Sequence, residues 1–113
     1  AYDELASSER RESSAEVKER VNVARRIQRT RFEGQGVKVN AEMGERELDA
    51  FCTLTRESEE ILRAAFERMK LSARARSRII KVARTIADLA ASEEILPAHV
   101  FEAVSYRIYD RLG

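Results

Sequence analysis

The chain has 113 residues, room for one compact domain and little more. Apolar residues make up 43 % and charged residues 36 %, with a formal net charge of only +1. A single proline, four glycines and no period-two alternation of β-branched or aromatic residues exclude a strand-built fold.

Residues 1–12 are polar, carry no clear period and read as a loop. Ser13 followed by Glu16 is a capping box, so a helix begins near Ser14. Its apolar stripe, Val17, Val21, Ala24 and Ile27 or Gln28, is thin, and the helix runs to about Arg31 only partly buried. Gly34 and Gly36 make residues 32–39 a loop. Asn40 is placed to cap a short helix ending near Cys52, with Met43, Leu48 and Phe51 inward. Thr55 caps the next helix, whose first turn is acidic and whose apolar face is Ile61, Leu62, Ala65, Phe66 and Met69.

Ser72 caps a helix that ends near Ala90. Ala75, Ile79, Val82 and Ile86 recur at helical spacing and predict its core face. Arg74, Arg78, Lys81 and Arg84 recur on another side. Residues 92–97 form a linker, and Pro97 suits the first turn of a last helix with Val100, Ala103, Val104 and Ile108 inward. Four or five helices joined by short loops give an all-α fold, a small antiparallel bundle.

The charges alternate in blocks. Residues 17–31 are net +5, 41–60 net −5, 63–84 net +7 and 88–102 net −4. Such blocks suit helices packed beside partners of opposite sign, and equally a basic surface facing a polyanion. Arg25 and Arg29 on the first helix, with Arg78, Lys81 and Arg84 on the later one, are the candidate surface for nucleic acid or a partner.

Much catalytic chemistry is missing. No Gly-rich phosphate loop is present. Cys52 is the only cysteine and His99 the only histidine, which excludes an internal disulfide and makes a zinc site implausible. Cys52 reads as a buried structural thiol and His99 as a surface or capping residue. The lone thiol fits a reducing, cytoplasmic compartment. No run reaches the roughly 18 apolar residues of a membrane span, so no membrane partner is expected. What remains is arginine, whose fork of donors matches phosphate oxygens. Arg74 falls in a first turn, where the helix dipole prefers an anion, and a phosphate would relieve the mismatch. The competing reading is a solvated basic face.

Several motifs resemble one family. Glu12-Ser13-Ser14-Ala15, Arg20-Val21, Ala24-Arg25 and Ile27-Gln28 look like the region after the ATPase core of magnesium-chelatase-like AAA+ proteins. Leu71-Ser72-Ala73-Arg74-Ala75, Arg78-Ile79 and the run from Lys81 to Leu89 look like their C-terminal lid, closest to the ComM-type competence proteins. His99-Val100, Glu102-Ala103 and Tyr106-Arg107 look like its closing helix. Arg76 stands where the family often has an aromatic residue.

The resemblance implies residues 1–36 as a linker and pre-sensor-2 helix following an absent core, and 37–113 as the lid. It implies a ring, typically a hexamer, with ATP and magnesium bound in the full-length protein and none by this chain alone. Arg74 would be the sensor-2 arginine on the γ-phosphate. The partners would be the chain's own AAA+ core, neighbouring subunits and DNA, for branch migration or helicase work in natural transformation. The parent protein would be an ATPase, and the chain alone would not hydrolyse ATP. Two alternatives are the lid of a true chelatase subunit, serving tetrapyrrole metal insertion, and a helical adaptor or DNA-binding module with no nucleotide role.

Overall fold

The computed structural model describes residues 13–112, with side-chain surroundings through residue 106. The expected loop over residues 1–12 and the inward Ile108 lie outside that range. Five helices account for the fold: α1 (Ser14–Arg31), α2 (Glu45–Phe51), α3 (Arg56–Met69), α4 (Ala73–Leu89) and α5 (Pro97–Leu112). No strand occurs among the described residues, so the fold class is all-α.

Local chemistry starts the helices where hydroxyl side chains reach back. Ser13, Thr55 and Ser72 each accept a hydrogen bond from the amide three residues on, at 3.1 Å in every case. Asn40 behaves differently from expectation. It opens a single 3-10 turn, Asn40–Glu42, and the chain then breaks at Met43 and Gly44. The amide of Gly44 donates to Glu47 Oε1 at 2.8 Å, so α2 starts at Glu45. The Asn40 side chain points inward and is buried.

Helix α4 ends in a Schellman turn. Ala91 takes a left-handed φ of 54°, the amide of Ser92 reaches Ala87 O at 2.8 Å, and that of Ala91 reaches Asp88 O at 2.9 Å. The linker beyond is mostly exposed and pinned to the core at one residue. Ile95 is fully buried, forms a backbone bridge to Leu54, and accepts a 2.8 Å hydrogen bond from Ser58 Oγ on its carbonyl. Pro97 opens α5, as its missing N–H permits.

Helix α4 is the hub. It packs on α1, on the 3-10 turn, on α2 and on α5, while α3 joins chiefly through α5. Its buried apolar residues are Ala75, Ile79, Ile80, Ala83 and Ala87. The inward face is therefore rotated from the one expected. Val82 is 39 % exposed, not a core residue, and Ile86 is only half-buried. Arg84, expected on the exposed basic side, is buried at 4 % exposure because Asp88 and two backbone carbonyls draw it inward.

Helix α1 attaches mainly by its end. Residues 14–20 are all exposed and Ala24 is the only buried residue of the helix. Just past it, Phe32 is buried and meets the Phe51 ring edge-on at 5.5 Å. His99 caps α5, its Nδ1 accepting the Leu96 amide at 2.9 Å, but it is buried and not on the surface.

Candidate functional site

Arg74 stands in the first turn of α4, exposed, and no ion pair or hydrogen bond engages its guanidinium among the described residues. The first turn of α4 holds no acid. Glu45 of α2 accepts a hydrogen bond from Ser77 Oγ on its Oε1 at 3.2 Å. Arg74 and Lys81 line a shallow pocket of about 360 Å³ together with Glu45, Met43, Gly44 and Leu48. Two cations and one carboxylate thus share one concave surface, whose balance of charge is positive and suited to an anion.

The other predicted site residues are distributed elsewhere. Arg78 is exposed on α4 and does not line this pocket. Arg76, by contrast, is paired with Glu59 of α3 at 3.1 Å. Arg25 and Arg29 line a second, larger cleft of about 770 Å³ between the C-terminal half of α1 and the following loop. Lys38 faces them there, Val37 and Val39 supply apolar wall, and Glu33 is its only acidic lining residue.

Arg84 belongs to a buried polar cluster that sequence reading did not assemble. Asp88, with no exposed surface, accepts Arg31 through both oxygens at 2.8 and 2.6 Å. It also accepts Asn40 Nδ2 at 2.8 Å and pairs with Arg84 Nη2 at 3.2 Å. Asn40 closes the ring by accepting from Arg31 at 2.9 Å and donating to Thr85 at 3.0 Å. The i,i+4 spacing of Arg84 and Asp88 was the one signal in the sequence. Burial lowers the Arg84 pKa from its ordinary value, and neighbouring Asp88 opposes that shift. Burial likewise pushes the Cys52 thiol up to about 11, with Arg84 and Arg31 pulling it back only in part. Cys52 is an inert core thiol set against Met43 Sδ at 3.7 Å.

Among the described residues there is no cluster of three or more metal-ligating side chains, and no helix long and apolar enough to cross a membrane.

A profile of the family described as "Magnesium chelatase, subunit ChlI C-terminal" matches residues 11–107. The uncharacterized protein YifB of Escherichia coli K12 is 46 % identical over 101 residues, covering 89 % of this chain and 19 % of the relative. The competence protein ComM of Haemophilus influenzae is 39 % identical over 106 residues, covering 94 % of this chain and 20 % of the relative. The chain thus spans about a fifth of the length of these curated relatives. With the pocket, the capped α4 and nearly every described residue inside the matched region, the chain belongs to the magnesium chelatase ChlI C-terminal family and is of the ComM type.

Proposed function

We propose that this domain is the lid of an AAA+ ATPase whose nucleotide-binding core lies elsewhere in the full-length protein. Arg74 is its sensor-2 arginine. The observation that carries the reading is an exposed, unpaired guanidinium in the first turn of α4, beside a pocket it shares with Lys81 and Glu45. No acid lies in the first turn of α4, so a cation there is mismatched to the helix dipole until an anion arrives.

Bound ATP, with its magnesium ion, supplies the phosphoryl group. Arg74 supplies a forked donor that stabilises charge on the terminal phosphate, and its binding or release tilts the lid. Adjacent subunits of a cytoplasmic ring, hexameric in this reading, complete the site. The name of the Haemophilus relative, a competence protein, favours DNA as the motor's substrate over metal insertion. The cleft lined by Arg25, Arg29 and Lys38 then offers exposed cations to DNA.

The test is ATP turnover of the full-length protein. Arg74→Ala lowers turnover at least about tenfold, since a charge at a transition-state phosphate is lost. Arg74→Lys recovers only part, because an ammonium cannot make the two-pronged contact. Wild-type turnover in Arg74→Ala overturns the reading.

A further inference from the structure

Beyond that reading, and resting on it for its last step, we infer that Asp88 is a positioning residue. By gripping Arg31 it sets the angle between α1 and α4, and so where Arg74 is held relative to the chain that enters through α1.

The grip is disproportionate to the rest of the contact. Helix α1 has 18 residues and buries only Ala24, so its apolar hold on the bundle is confined to that residue and to Phe32 just past its end. Its polar attachment is concentrated in the last turns. Arg31 donates two hydrogen bonds to Asp88 and a third to Asn40 Oδ1, and Gln28 Oε1 accepts the Asn40 amide at 3.0 Å. Every one of these partners lies on α4 or on the 3-10 turn that α4 carries.

Buried ionic clusters are poor sources of stability, because desolvation cancels most of the attraction. What they supply is geometry. A planar guanidinium matched to both oxygens of one carboxylate fixes orientation as well as distance. Asp88 is itself held by Arg84 and Asn40, so it cannot swing to follow a displaced α1. Arg74 sits 14 residues back along the same unbroken helix, about 21 Å along its axis. The angle chosen at Asp88 is therefore transmitted to the guanidinium at the far end.

The informative variant is Arg31→Met, which removes the α1 half of the grip and leaves Asp88 with Arg84 and Asn40. Paired spin labels at the exposed positions 18 and 63 report the placement of α1 against the bundle. In wild type the distance distribution is narrow. In Arg31→Met it broadens while circular dichroism and the melting of the α2–α5 core stay near wild type. A distribution as narrow as wild type overturns the positioning role.

In the full-length protein Arg31→Met lowers kcat for ATP with KM unchanged, because nucleotide is still bound but the arginine is misplaced. Broadened distances with wild-type kcat overturn the coupling while leaving the sensor role of Arg74 standing. Wild-type kcat in Arg74→Ala overturns the sensor role and the coupling with it, and the label distances still decide whether Asp88 orients α1.

Discussion

Arg84 reaches past the end of its own helix and donates Nη2 to the carbonyl of Ser92 at 2.8 Å, one residue beyond the left-handed turn at Ala91. Its other terminal nitrogen reaches Glu93 O at 3.1 Å. The turn and the arginine depend on each other, since the Schellman geometry aims both carbonyls at the guanidinium.

Ala91 is the weak point of that turn. A Cβ in the left-handed region costs about 1 kcal/mol, which glycine avoids. Ala91→Gly is expected to raise stability by about 1 kcal/mol, read as a higher urea midpoint with an unchanged slope. An unchanged or lower midpoint would count against the assignment of Ala91 as the position that needs a positive φ.

Asp88→Ala is expected to be among the most damaging single changes. It strands Arg31 and Arg84 in a buried site without a counter-charge, at a cost of about 3–5 kcal/mol. Equilibrium denaturation measures it, and a loss under about 1 kcal/mol would mean that solvent reaches the cluster more freely than its burial implies.

Two neighbouring residues on α4 separate its faces. Val82→Asp places a charge in water and should change stability by no more than about 0.5 kcal/mol. Ala83→Asp places one where the exposed surface is 0 % and should prevent folding. Thermal melts of the two proteins decide it, and similar melting points would refute the assigned rotation of α4.

The Cys52 thiol gives a pH dependence with a definite sign. Unfolded, it ionises near 9.0; folded, near 11, because burial disfavours the thiolate. Its contribution to stability is complete below about pH 9 and is lost as pH rises from about 9 to about 11. The slope approaches about 1.4 kcal/mol per pH unit. Cys52→Ala should lack this component, so the difference between the two unfolding curves across that window isolates it. Parallel curves would refute it.

Arg25, Arg29 and Lys38 predict a salt-dependent association with single-stranded DNA. Changing all three to Gln should reduce the slope of log affinity against log salt by about 2, at about 0.7 for each phosphate no longer neutralised. Fluorescence anisotropy with a labelled oligonucleotide reads the slope, and an unchanged slope would move any DNA contact off this cleft.

The legible parts of the fold were local ones. Ser13, Thr55 and Ser72 announced their helices because a hydroxyl caps an amide only three residues away. Pro97 and the apolar face of α3 were readable for the same reason. Asn40 is deceptive because its partners, Thr85 and Asp88, lie 45 and 48 residues away, and an inward-facing asparagine has the same local signature as a cap. The rotation of α4 was hidden by Ala83 and Ala87. Alanine adds little to an apolar stripe, whereas Val82 and Ile86 dominate one while standing at its edge. Arg84 looked like its exposed neighbours because hydropathy cannot register a carboxylate waiting one turn ahead. Arg74, at a capped helix start, was the part of the candidate site that sequence could place.

One helix serves as common ground for most of the others. Residues of α1, the 3-10 turn, α2 and α5 all reach the solvent-free interior by leaning on α4. Cooperativity follows from that wiring. A defect that frays α4 withdraws the shared support at once, so the bundle should melt in a single step, with independent breathing confined to the outlying start of α1.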